Sequence, residues 1–428
     1  MLIAKFQKAL SGEYIRNVGW MAGAEIANRI IRLATTVILA RMFSPQDYGL
    51  MAIIYTVSDL FQVFTLKGGV GAKIIQADEQ DVKAICNTAY WLNWITCGSL
   101  FIIQCIVAFL LPYFSKDQNL ALPLIGLAFT YLAYPLFVTH LVLIERENRF
   151  KVTATCNVVA SIVSSVITAT LALLGMGIWS IIWSIILTSP IWIFLTWKYQ
   201  DWRPPLRFSL DRWQEVLSFG SNLLISDLLN KVRDNVDYLI VGRYLGVEAL
   251  GMYYFAFNAG SGITTSILIT FMSPMYPHIC EVRNNYWQFK KRYLSSLKKV
   301  TLILVPLILL QASLAPFYVP IVFGSKWEPA IPILILICLS VIPKIYSWAA
   351  SLLLNAINKP QITLQVTFIF TTIFIIAILA VVKAGILWVA SSVFFSHLTI
   401  LSISTIWVNR FALNQKHFPK QKLLSEPH

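Results

Sequence analysis

The sequence predicts an all-α polytopic membrane protein: about twelve transmembrane helices in two six-helix lobes, related by a parallel internal repeat around a central polar cavity. Three observations carry that expectation. The 428 residues are 57% hydrophobic and only 13% charged, a balance outside the range of soluble domains. Apolar runs of about 20 residues, each able to cross roughly 30 Å of hydrocarbon, recur along the whole chain. The charge pattern of the first run also returns at mid-chain.

In order, the runs lie near 18–40, 47–66, 85–111, 121–143, 153–174, 177–197, 214–240, 249–273, 300–322, 330–354, 362–382 and 385–408. The first, "AEIANRIIRLATTVILAR", is apolar but holds Glu25, Asn28, Arg29 and Arg32. The fourth contains Pro135, and the tenth places Lys344 beside Pro343; both prolines free backbone groups and permit bending. The seventh repeats the first: Glu25 aligns with Asp227, Asn28 with Asn230, Arg29 with Lys231, Arg41 with Arg243 and Gly49 with Gly251. A second echo sets "ENRFKVT" (from Glu147) against "INKPQIT" (from Ile357), at the turn between the fourth and fifth spans of each half. Each half therefore holds six helices. Because six is even, both halves enter the membrane in one orientation, as in parallel-repeat transporters. The expected boundaries are an N-terminal lobe at 1–197, a linker at 198–213 ("KYQDWRPPLRFSLDRW"), a C-terminal lobe at 214–410 and a basic tail at 411–428.

The net charge of +14 would suggest a nucleic-acid partner in a soluble protein. Here, with a cytoplasmic N-terminus, most of the 34 Lys and Arg fall in cytoplasmic segments, which is the positive-inside pattern and excludes that reading. Both termini are expected in the cytoplasm. The clusters Arg146/Arg149/Lys151, Arg203/Arg207/Arg212 and "FKKRYLSSLKK" read as orientation signals and contacts to anionic membrane lipids. The first residues are too weakly apolar for a signal peptide, and Leu2, Ile3, Phe6 and Leu10 could form one face of an interfacial helix. Most tryptophans sit near span ends, as an interfacial belt does.

A charge at mid-membrane costs about 2.5–3.5 kcal/mol on insertion scales, so the first and seventh helices must face protein or water. Two readings stand. Glu25 with Arg29, Asp227 with Lys231, and Arg233 with Asp237 are internal ion pairs holding helices together. Alternatively, both helices line a polar cavity in which Asn28, Arg29, Arg32, Asn230, Lys231, Arg233 and Lys344 meet an anionic substrate, while Glu25, Asp227 and Asp234 serve as counter-ions or coupling groups. Two arginines share a face with one carboxylate in the first helix, and an arginine fork suits phosphate oxygens; that surplus favours the second reading.

Several chemistries are excluded. There is no Walker loop, no HExxH, no nucleophile elbow and no acidic pair to hold a nucleotide-sugar metal. The six cysteines have no metal-ligand spacing and read as apolar fillers, and the five histidines do not cluster. No catalytic residue, metal or cofactor is expected, only a coupling ion, proton or sodium.

The stretch "RNVGWMAGAEIANRIIRLATTVILARMFSPQDYGLMAI", with "KGGVGAKIIQ" and "LIERENRFK", resembles the polysaccharide-export flippases of bacteria. These are Wzx-type translocases of the multidrug/oligosaccharidyl-lipid/polysaccharide exporter superfamily. That resemblance implies a transporter of the bacterial cytoplasmic membrane. It would carry undecaprenyl-pyrophosphate-linked oligosaccharides to the periplasmic leaflet by alternating access, alongside a polysaccharide polymerase and glycosyltransferases. It also implies that Arg29, Arg32, Lys231 and Arg233 meet the pyrophosphate. A cation-coupled exporter of small molecules on the same fold, or a membrane glycosyltransferase or polymerase, are the alternatives.

Overall fold

The structure, a computed structural model, describes residue 28 and residues 31–65, 67–114, 120–204, 207–272, 274–283 and 285–414. Glu25, Arg29, the N-terminal amphipathic stretch and the tail from residue 415 lie outside the described residues, as does the side chain of Asp227. All regular structure among the described residues is helical. Two compact units are formed, Met1–Asn235 and Val236–His428.

In the first unit, α1 (31–42) turns into α2 (Pro45–Gln62). The turn is written in "SPQD". Ser44 Oγ accepts from the Asp47 N–H while the Asp47 carboxylate accepts from the Ser44 N–H at 2.9 Å, and Pro45 takes the first helical position where no N–H is needed. A short helix, α3 (Lys67–Gln76), precedes the long α4 (Val82–Phe114). Next come α5 (Ala121–Ala133) and α6 (Pro135–Arg146), bent by 51° at their junction. Pro135 has no N–H to continue the ladder, so the bend falls where the sequence places it. Helices α7 (Phe150–Leu173) and α8 (Trp179–Tyr199) close this part, and α9 (Trp213–Leu245) begins in the first unit and ends in the second.

The second unit continues with α10 (Val247–Phe257), a π turn (Asn258–Gly262) and α11 (Ile263–Met272). After the short α12 (Met275–Cys280) come α13 (Tyr286–Tyr318), α14 (Ile331–Ala356), α15 (Pro360–Val381), α16 (Ile386–Ser396) and α17 (Ser402–Ala412). Half of the most apolar window of α14 is buried, against 22% for α15, which makes α14 the axis of this unit. Pro343 sits inside α14 without breaking it. The expectation that both prolines interrupt their helices therefore holds for Pro135 alone.

Eight described helical segments are long and apolar enough to cross a membrane, and the bent α5–α6 pair makes a ninth. The expected spans also include α1, the charged α9 and the π-interrupted α10–α11. Outward side chains such as Phe109, Leu302 and Phe368 are 64%, 72% and 64% exposed, as a lipid-facing surface requires.

The repeat seen in the sequence is visible in the turns. Asn148 and Asn358, aligned by "ENRFKVT" and "INKPQIT", have φ of 56° and 59°, and they are the only non-glycine positive-φ residues among those described. In each turn the next residue's N–H reaches back to the helix: Arg149 to Ile144 O at 3.1 Å and Lys359 to Leu354 O at 2.9 Å. This is a left-handed helix C-cap, and asparagine is the side chain that tolerates it best.

The π turn is stabilised by one residue. Gln311 Nε2 donates to the Ala259 and Gly260 carbonyls, both at 2.9 Å, and its Oε1 accepts from Thr264 Oγ1 at 2.7 Å. A side chain at Gly260 would meet the Leu334 carbonyl at 3.1 Å, so the glycine lets the two helices approach closely there.

The basic clusters of the first unit prove to be largely occupied by protein. Arg146 donates to Ile74 O and Ile75 O at 2.7 and 2.9 Å, capping α3. Arg149 donates to Tyr199 O and Arg203 to Gln200 O, both at the end of α8, and Arg212 pairs with Asp81 at 2.8 Å. These arginines satisfy helix C-terminal carbonyls and a carboxylate.

Candidate functional site

A cavity of about 820 Å³ opens within the first unit. It is lined from α2 by Asp59 and Gln62, from α6 by Phe137 and Glu145, from α7 by Asn157, from α8 by Trp192, and from α9 by Asn230, Lys231 and Asp234. Its centre is an ion pair: Lys231 Nζ donates to Asp59 Oδ2 at 2.9 Å. Both side chains keep about 40% of their exposure, so the pair is open to the cavity. One turn further along α9, Asn235 donates to the Lys231 carbonyl and lies 3.4 Å from Thr56 Oγ1, a second tie to α2.

The helix spacing explains the placement. Asn230, Lys231 and Asp234 occupy positions i, i+1 and i+4 of α9, one side of the helix. Asp59 lies one turn beyond Tyr55 on α2, and Tyr55 feels the charges of both Arg32 and Asp59, which places Arg32 near this pair. Arg32 itself is exposed on α1. Opposite, the rings of Phe137 and Trp192 stack at 5.8 Å with a 24° interplanar angle, forming a flat aromatic wall.

Of the sequence-predicted residues, the cavity brings together Asn230, Lys231 and Asp234. Asn28, Arg32, Arg233 and Lys344 do not line it. Arg233 binds Asp234 Oδ1 through both Nε and Nη2 at 3.0 Å. Its expected partner, Asp237, is instead buried and accepts from the Tyr253 hydroxyl at 2.8 Å and the Tyr238 N–H at 3.0 Å. The reason is position: Asp237 faces α10, where a tyrosine hydroxyl and a backbone N–H satisfy it, and it feels the charge of Lys344 rather than that of Arg233. Lys344 stands over the Phe257 ring at 5.5 Å. Among the described residues, the partner of Lys231 is Asp59, which the spacing argument had not included.

Sequence reasoning missed Asp59, Glu145, Asn157 and the aromatic wall. A signal for Asp59 was present, since it is the lone acid of an apolar run, "MAIIYTVSDLFQVF", and an intramembrane carboxylate implies a cation nearby.

Among the described residues, the bundle is helical throughout, with segments apolar enough to cross a membrane and an ion pair in a polar cavity, the architecture of a polytopic membrane protein. The solved structures agree in fold. An inward-facing multidrug resistance MATE family transporter of the MOP superfamily superposes with a TM-score of 0.70 over 90% of this chain and 94% of that one, at 14% identity. Lipid II flippase MurJ, in an inward closed conformation, gives 0.69 over 93% and 88%, also at 14%.

Residues 38–332 match the family described as polysaccharide biosynthesis protein, and the chain belongs to that family. Among its relatives, the succinoglycan biosynthesis transport protein ExoT of Rhizobium meliloti (strain 1021) is 26% identical over 335 residues, 76% of this chain and 65% of the relative. The chain thus spans slightly less than two thirds of that relative's length. These findings agree with the resemblance carried by "LARMFSPQDYGL" and its neighbours.

Proposed function

We propose that the protein flips undecaprenyl-pyrophosphate-linked oligosaccharide repeat units from the cytoplasmic to the periplasmic leaflet of a bacterial inner membrane, by alternating access, for exopolysaccharide or lipopolysaccharide biosynthesis. Membership of the polysaccharide biosynthesis family, with a cavity whose cation Lys231 pairs with the part-exposed carboxylate of Asp59, supports this reading. A pyrophosphate and its sugars cannot cross hydrocarbon unaided, so the protein must offer them a hydrated path while the prenyl tail stays in lipid.

The residues suggest how. An exposed Lys–Asp pair is worth about 0–1 kcal/mol, whereas a hydrogen bond between charged groups that are partly shielded contributes about 1.5–3 kcal/mol. An arriving pyrophosphate therefore draws Lys231 away from Asp59. Asp59, released, becomes an acceptor for a coupling proton or sodium ion. Arg32, on the same side of the unit, supplies a second cation to the phosphate. Gln62, Asn157 and Asn230 offer hydrogen bonds to sugar hydroxyls, and Phe137 with Trp192 gives a surface on which a sugar ring can lie. Polymerase and glycosyltransferases act before and after this step, and the protein itself is not an enzyme.

The test is leaflet occupancy in a deletion strain. Restoring the gene should clear lipid-linked repeats from the cytoplasmic leaflet; Arg32→Ala should fail to clear them and Arg32→Lys should do so partly. An Arg32→Ala variant indistinguishable from the parent would remove Arg32 from the site.

One observation favours a second reading. The cavity holds three carboxylates, Asp59, Glu145 and Asp234, against Lys231, a lining that a cationic small molecule would also suit, and the fold match to a multidrug transporter equals that to a flippase. Uptake of cationic dyes into inverted vesicles, with no effect on lipid-linked repeats, would decide for that exporter.

A further inference from the structure

Helix α13 is too long for the membrane it crosses. Its 33 residues, Tyr286–Tyr318, span about 50 Å at 1.5 Å per residue, against roughly 30 Å of hydrocarbon. From Val300 to Ser325 the sequence has no charged residue, while Lys290, Lys291, Arg292, Lys298 and Lys299 precede it. Lys298 and Lys299 therefore mark the hydrocarbon boundary, and the first turns of α13 project about 20 Å beyond it.

The projecting part has a patterned face. Trp287, Lys291, Leu294, Lys298 and Leu302 follow one another at helical spacing of three and four, so they form a single stripe. All five are exposed, Trp287 by 63% and Leu302 by 72%. Beside the stripe, α13 and α14 enclose a groove of about 330 Å³ lined by Leu294, Leu297, Lys298, Thr301, Leu302 and Tyr346. Its lining is apolar apart from one ammonium and two hydroxyls.

The lysines of this face differ from the arginines elsewhere. Arg292 binds Glu281 at 2.7 Å and the His278 carbonyl, and Lys290 lies over the Tyr286 ring. Lys291, Lys298 and Lys299 have no carboxylate partner among the described residues, and neither α13 nor α14 contains an Asp or Glu.

We propose that this groove is a binding site for an anionic glycerophospholipid of the surrounding bilayer. Its phosphate is held by Lys298 and Lys291, its glycerol region meets the Thr301 and Tyr346 hydroxyls, and an acyl chain runs over Leu302 into the hydrocarbon. The lysine stems cover apolar surface while their heads stay at the phosphate level. An apolar groove with unpaired cations at its edge fits a lipid that is both chained and anionic; a free phosphate would leave the apolar lining unused. The inference rests on the second unit alone and does not depend on the cargo.

The experiment uses the purified full-length protein in detergent, offered phosphatidylglycerol or phosphatidylcholine, with retained lipid counted by native mass spectrometry. Phosphatidylglycerol should be retained preferentially. Lys291→Gln with Lys298→Gln should lower that preference by about fivefold per lysine at low salt, whereas Lys383→Gln, exposed elsewhere in the unit, should not change it. Lys291→Arg with Lys298→Arg should keep it. Equal retention of the two lipids, or a preference unchanged in the glutamine pair, overturns the site. Displacement of phosphatidylglycerol by undecaprenyl phosphate at much lower concentration overturns it too, by assigning the groove to a prenyl lipid. Should the glutamine pair fail to fold, the wild-type preference still has to fall as salt screens the lysines, and a salt-independent preference refutes the proposal.

Discussion

Replacing Asp59 by Asn and Lys231 by Gln, singly and together, separates a structural ion pair from a substrate-handling one. Both side chains are about 40% exposed and the Nζ–Oδ2 distance is 2.9 Å, so the pair is an exposed salt bridge worth at most about 1 kcal/mol. Each single variant should therefore melt within a few degrees of the parent, and the double variant should show little coupling. Transport should respond far more strongly. Losing a charge-assisted hydrogen bond to pyrophosphate removes about 1.5–3 kcal/mol, a fall of roughly 10- to 150-fold in flipping for Lys231→Gln. Asp59→Asn leaves Lys231 free for the substrate but removes the released carboxylate, so binding should persist while dependence on the ion gradient weakens. The swap Asp59→Lys with Lys231→Asp rebuilds the pair with reversed polarity. It should restore stability without transport. Flipping measured per folded molecule in proteoliposomes is the assay; transport regained by the swap in step with stability would show that the pair only fastens α9 to α2.

Three further outcomes follow from the same contacts. Asn148→Ala and Asn358→Ala remove the short polar side chain that tolerates a left-handed turn and should each lower stability by up to about 1–2 kcal/mol, while the glycine variants, which lack the β-carbon, should be neutral or better, measured by thermal unfolding in detergent. Tyr253→Phe removes one of the hydrogen bonds to buried Asp237 and should cost about 1–3 kcal/mol; a full-strength variant would mean Asp237 is satisfied without it. Gln311→Leu strips the π turn of its donor to Ala259 and Gly260 and should cost about 1–3 kcal/mol in the same unfolding assay; a variant as stable as the parent would contradict the assignment of the amide as the clamp.

The sequence by itself determined what is local. Apolar length set the spans, "SPQD" set the α1–α2 turn, Pro135 set the 51° bend, and the echo of "ENRFKVT" in "INKPQIT" marked two equivalent turns, in which the structure shows Asn148 and Asn358 left-handed. Each depends on backbone chemistry within a few residues, which periodicity and residue type can report. The charged pattern of α9 was equally legible, because a charge in an apolar run has few alternatives to a protein or water partner.

Which partner it meets was decided only by the tertiary structure. Helical spacing offered Lys231 an acid four residues away, but the side chain reaches Asp59, 172 positions distant in sequence. Spacing offered Arg233 to Asp237, yet Asp237 turns to Tyr253 on the next helix and Arg233 to its neighbour Asp234. The long flexible stems of Lys and Arg can satisfy many carboxylates, so the choice falls to whichever helix packs alongside. The aromatic wall of Phe137 and Trp192 follows the same rule, since each residue looked like an ordinary membrane aromatic until α6 and α8 brought the rings together. Intrahelical geometry is fixed by the covalent chain, whereas a cavity is defined by surfaces from helices far apart in sequence, and only their packing determines which side chains share it.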